Sequence, residues 1–165
     1  MNSCSHKQGD PILYRNSPFK ARIVSVGFEV DFEALVTSEP QENEEGQTLV
    51  FEFLSPDSLK GLEARISDKG TELSLNGKQF ANIEFPESNG FGLFRIAEML
   101  VPSEPILNIK SKSGQACGMP DLKALTVIST PNATIYISPE TGFPIKSTTP
   151  DGDRYLIINV ISSEG

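Results

Sequence analysis

The chain has 165 residues, 38% of them hydrophobic and 22% charged, which is the composition of one folded domain with its own core. Its formal net charge of −8 sets it against phosphate backbones and anionic membrane surfaces. Nucleic acid is therefore not an expected partner, and a membrane is reached only through a covalent anchor. The longest apolar runs, such as Tyr155 to Ile158, are strand-sized and too short to span a bilayer.

Residues 1–9 are polar and read as a flexible tail or tether, ahead of a single domain over 10–165. Within the tail, Ser3-Cys4 matches the small residue that precedes the lipid-receiving cysteine of bacterial lipoproteins. Cys4 is thus a candidate lipidation site; the alternative is an incidental cysteine in a polar terminus. Cys4 and Cys117 together allow one disulfide, though the spacing alone does not define its geometry. Neither has a CxxC partner or a nearby histidine cluster, which disfavours zinc. Asp10-Pro11 reads as the start of a short helix that ends before Pro18.

Strand patterns begin at Phe19. From Phe28 to Val36 apolar side chains hold the even positions, while Glu29, Asp31 and Glu33 hold odd ones, a period of two with one face buried. Gly27 separates this run from Lys20–Val26, so the stretch is one kinked strand or a tight pair. An acidic loop follows over 38–47 and lacks the ordered oxygen ladder of a calcium site. Leu49, Phe51 and Phe53 alternate in the next strand, which Ser55-Pro56-Asp57 breaks. Leu62–Ser67, Leu73–Leu75 and Ile83–Phe85 continue a meander, with turns at Asp68-Lys69-Gly70 and Asn76-Gly77.

Residues 91–101 change period. Leu93, Ile96, Ala97 and Leu100 share one helical face, and Pro102 and Pro105 end the helix. The segment Pro102–Pro120 reads as the least structured part, a flap or crossover. Strands return at Leu122–Ile128, Thr134–Ser138, Pro144–Thr148 and Arg154–Ile161. The last is apolar on both faces, as a strand covered twice would be. The expected fold is mainly β (α+β): nine to eleven antiparallel strands in a curved, unclosed half-barrel covered by one or two helices.

Catalytic chemistry finds little support. His6, the one histidine, lies in the tail and has no positioned partner for a catalytic dyad. The carboxylates sit on polar strand faces or in loops, where solvation and salt bridging account for them; Glu84 and Glu98, beside the helix, are the least easily dismissed. Asn89-Gly90-Phe91-Gly92 lacks the rest of a dinucleotide fingerprint. No cofactor or metal is implied. The unusual feature is ten phenylalanines with no tryptophan. Phe28, Val30, Phe32, Phe51 and Phe53 on strands, with Phe91 and Phe94 on the helix, either line an apolar cavity or pack a filled core.

The order of parts resembles the LolA/LolB-like lipoprotein-carrier superfamily, particularly its small lipoprotein-type members from Gram-positive bacteria. The resemblance rests on Phe19-Lys20-Ala21, on the Phe-rich strand closed by Ser55-Pro56-Asp57 with Leu59-Lys60-Gly61, and on Leu73-Ser74-Leu75-Asn76-Gly77 before the helix. The Ile137-Ser138-Pro139-Glu140-Thr141-Gly142-Phe143-Pro144-Ile145 turn and the closing Ile158-Asn159-Val160 complete it, over about residues 19–161. It implies an open barrel whose helices cover an acyl-binding cavity, no catalytic residues, and an extracytoplasmic protein anchored to the cell membrane through Cys4. A Gram-positive relative has no outer membrane to serve, so fold transfers more readily than function.

Three functions follow. The first is a non-enzymatic cell-envelope binding protein for lipid acyl chains or an acylated or apolar segment of another envelope protein. The second is a structural or signalling interaction module with a filled core. The third, with least support, is a hydrolase with a buried acidic pair.

Overall fold

The computed structural model describes residues 18–28, 31–40, 47–67, 70–83, 93–102, 105–121 and 124–163. Alternating side chains build eleven strands: β1 (Phe19–Val26), β2 (Glu33–Pro40), β3 (Gln47–Ser55), β4 (Leu62–Ser67), β5 (Gly70–Leu75), β6 (Lys78–Ile83), β7 (Asn108–Ser113), β8 (Ala124–Thr130), β9 (Ala133–Ile137), β10 (Pro144–Thr148) and β11 (Tyr155–Ser163). One helix, α1 (Leu93–Leu100), lies between β6 and β7. All strands join one sheet in the order β6-β5-β4-β3-β2-β1-β11-β10-β9-β8-β7, and every ladder is antiparallel. The sheet is not closed; β6 and β7 are its edges.

Two meanders thus meet where the first and last strands pair, with Ile23 opposite Ile158 and Val24 opposite Ile157. The connection carrying α1 runs from one edge strand to the other. The helix contacts β4 on one side and β9 and β10 on the other. In a flat sheet β4 and β9 would lie about 29 Å apart, six strand spacings of roughly 4.8 Å. An eight-residue helix is about 12 Å long. Both contacts are possible only because the sheet curves around the helix.

The inner face carries the core. Ala21, Ile23, Ala34, Val36, Phe51, Phe53, Ala64, Ile135 and Leu156 are all buried there, joined by Ile96, Met99 and Leu100 of α1. Ile96, Ala97 and Leu100 of the helical stripe read from the sequence are buried, while Arg95 is exposed and Glu98 half-buried.

The Lys20–Val36 stretch, expected as one kinked strand or a tight pair, is a tight pair: Gly27 turns with φ +91°, and β2 begins only at Glu33. Any side chain at Gly27 would strain that backbone and meet the Asp153 carbonyl oxygen at 2.6 Å. Pro102–Pro120 is not structureless, since it contains β7, an edge strand exposed on both faces. Its polar Lys-Ser-Lys-Ser run hides it from a search for apolar alternation. Finally, β11 is central but covered once: Leu156 and Ile158 are buried, whereas Ile157 and Ile161 face solvent. The short helix expected over residues 10–17, and the acidic residues 41–46, lie outside the described residues.

Candidate functional site

The expected cavity residues fall into three groups. Phe32, Phe51 and Phe53 come together on the inner face through the β2–β3 ladder, which sets Val36 opposite Phe51 and Ala34 opposite Phe53. Their rings pack edge-to-face and stacked, with Phe32 and Phe53 centroids 5.0 Å apart and Phe51 and Phe53 6.3 Å apart. Alanines at 21, 34 and 64 make room for these rings on neighbouring strands. Phe28 stands apart from these rings: it is half-buried against the core, and its N–H donates to Asp31 Oδ1 at 2.9 Å. Val30, Phe91 and Cys4 lie outside the described residues, as does the side chain of Phe94.

The inner face has polar punctuation. Ser25 is satisfied: it accepts from the Phe32 N–H at 2.8 Å. Ser147, opposite Leu156 on β11 and Ile135 on β9, is fully buried, and its Oγ has no hydrogen-bond partner. An unmet buried hydroxyl costs about 1–3 kcal/mol. It is a polar handle on an otherwise apolar wall beside α1. Among the described residues every buried polar side chain is a serine or threonine, and none is a carboxylate. Glu33 instead pairs with Arg22 on the outer face.

A second feature was not foreseen as a site. The β10–β11 ladder spans only Lys146–Thr148 against Tyr155–Ile157. Beyond it β10 bulges at Ile145, and among the described residues β11 has no partner along that side from Ile158 to Ser163. A cavity of about 460 Å³ opens in the gap, walled by Ser138, Thr141 and Phe143 of the β9–β10 turn and by the β11 residues from Ile158 onward. The turn is rigid: Gly142 N–H donates to the Ser138 carbonyl at 2.8 Å, Ser138 N–H to the Phe143 carbonyl at 3.1 Å, and Phe143 N–H to Thr141 Oγ1 at 3.1 Å. Phe143 meets Phe19 edge-to-face at 5.7 Å, which ties the turn to the start of β1. The sequence marks this segment as a turn, but nothing in it signals that the ladder beside it stops.

The outer face is uneven. Leu125 and Val127 of β8 lie opposite in parity to the core residue Ile128, yet both are buried. Tyr136, paired with Val127, has its pKa raised, first by burial and then by the nearby Cys117. The turns at 114–118 therefore bring Cys117 against this outer patch. Cys117 is a free thiol.

No family model matches the sequence, and no curated protein sequence matches it. Among solved structures, the chain is similar to a DUF1329 family protein from Desulfovibrio piger, with TM-score 0.47 and 7% identity over 93% of this chain and 87% of that one. It is also similar to a putative outer membrane lipoprotein-sorting protein domain from Vibrio parahaemolyticus, with TM-score 0.42 and 11% identity over 96% and 86%. A LolA superfamily protein from Nitrosomonas europaea gives TM-score 0.42 and 9% identity over 91% and 86%. The structural neighbours are thus LolA-superfamily and DUF1329 proteins, at low identity. The functional reading rests on the residues of this chain.

Proposed function

We propose that this protein is a non-enzymatic binding protein whose curved inner face takes lipid acyl chains or an acylated or apolar segment of an envelope partner. In this reading it works outside the cytoplasm, held to the membrane by lipid on Cys4. The observation that carries it is the mismatch between the inner face and its helical cover. Ten strand spacings make a sheet about 48 Å broad, with apolar side chains along its inner face. Among the described residues the only helix is about 12 Å long, far shorter than the apolar face it packs against. Each acyl CH₂ buried against such a face contributes about 0.8 kcal/mol. Phe28 and the unmet Ser147 hydroxyl supply the mouth and a donor for an ester or acid carbonyl.

The decisive experiment is native mass spectrometry of the purified protein after incubation with palmitate and, separately, with phosphatidylglycerol vesicles. One bound lipid per chain is expected. Phe28→Asn should lose it while keeping the native circular dichroism spectrum. Ser147→Ala should raise the stability of the empty protein by about 1 kcal/mol and weaken lipid retention. Protein that stays empty with both lipids would overturn this reading. The close packing of Phe32, Phe51 and Phe53 would then favour a filled-core interaction module.

A further inference from the structure

The β10–β11 gap combines three properties that rarely meet in one place. It lies inside a sheet rather than at its edge, because β11 is fully paired to β1 on its other side, from Phe19 opposite Ser163 to Val26 opposite Tyr155. It is hollow, at about 460 Å³. And it is bordered by strand backbone that, among the described residues, has no ladder partner on the β10 side over residues 158–163.

The direction of that backbone follows from the hydrogen bonds around it. Ser25 N–H donates to the Phe32 carbonyl, toward β2. Alternation then turns Val24 and Val26 toward β11, so their partners Ile157 and Tyr155 point to β1. On the other side Thr149 N–H donates to the Arg154 carbonyl, which makes Ser147 and Leu156 the next bonded pair. Past the end of the ladder, Val160 is the residue that presents both N–H and C=O to the gap. Ile161 is the extra residue of a bulge against β1, where Lys20 faces Ser162 and Ala21 faces Val160.

The walls define the occupant. Phe143, Pro144, Ile145, Ile158, Val160 and Ile161 are apolar, and the other described lining side chains are hydroxyls and one amide. Among the described lining residues none is ionisable, in a chain of net charge −8. A phosphate or carboxylate headgroup finds no cation among these residues, and the hydrocarbon of an acyl chain leaves the Val160 amide and carbonyl unbonded. An extended polypeptide meets both demands, since its main chain bonds the strand edge while its alternate side chains meet the two walls.

We propose that this groove is a peptide-binding site, which takes an uncharged extended segment of a partner protein as an added strand on β11. The site is separate from the inner face and does not depend on lipid binding there. Opposite its rigid Ser138–Phe143 wall, the incoming strand replaces the ladder that β10 abandons at Lys146.

The test uses the intact protein and a fluorescein-labelled, end-capped hexapeptide of alternating threonine and valine, followed by anisotropy. Saturable binding is expected, and N-methylation of alternate peptide amides should weaken it at least tenfold. Ile161→Asp places a charge on an exposed lining position and should weaken it to a similar degree with the fold intact. Val160→Pro removes the groove-facing donor and should do the same, with its folding checked by thermal melting. No binding at millimolar peptide, equal binding of the N-methylated peptide, or an unchanged Ile161→Asp variant would each overturn the proposal. Displacement of the peptide by palmitate would overturn it in favour of an acyl site.

Discussion

Two patches of the outer face behave in opposite ways. Around β8 and β9, Leu125 is 1% exposed and Val127 is buried beside Tyr136, with Cys117 of the 114–118 turns close by. Around β1 and β11, Val24 is 37% exposed, Ile157 44% and Ile161 54%. Both patches are apolar on the side of the sheet away from the core, and in sequence they look alike. The difference is that the first patch is buried and the second is exposed. Apolar periodicity on both faces of a strand signals available surface, not cover.

Mutations sharpen this contrast. Leu125→Ala should cost about 2–5 kcal/mol in chemical denaturation, as an inner-core leucine would, because it leaves a cavity at a buried site. A loss below about 1 kcal/mol would mean that the patch is open to water. On the other patch Ile157→Thr should change stability by no more than about 0.5 kcal/mol. A larger loss in the isolated protein would show that something covers β11 there.

The smallest effect lies at the turn that joins β10 to β11. Asp151 Oδ1 accepts from Thr149 Oγ1 at 2.6 Å and from the Asp153 N–H at 2.9 Å. These bonds hold the Asp151 carboxyl below its ordinary value, the Thr149 hydroxyl contributing most. A lowered folded-state pKa adds stability that is complete above the unfolded-state pKa and is lost as pH falls through the folded one. Wild type should therefore exceed Asp151→Asn most at neutral pH, and the gap should shrink in acid below the ordinary carboxylate range. Thermal melts of both proteins from pH 7 to pH 3 measure it; a constant gap would assign the turn's stability to Gly152 and the backbone alone.

Much of the β-sheet was legible from period-two alternation. Leu62–Ser67 and Pro144–Thr148 coincide with β4 and β10, and the Leu93, Ile96, Ala97, Leu100 stripe lies within α1. The Lys110 and Lys112 strand was not legible, because an exposed edge strand needs no apolar face and is often marked by lysine instead. Of the expected site residues, Phe32, Phe51 and Phe53 were legible as a cluster because strand parity and hairpin order place them on one face. The groove at Ser138, Phe143 and Val160 was not, since it depends on where one ladder ends.

The sequence by itself determined most of the strands, most of their turns and which side chains of those strands turn toward the core, since these follow from local sterics and a period of two. Tertiary structure alone decided what covers each face and where pairing stops. Leu125 is sheltered and Ile157 is not, and β11 keeps β1 but loses β10. Cover and register end points depend on segments far apart in the chain, and no local pattern records the distance between them.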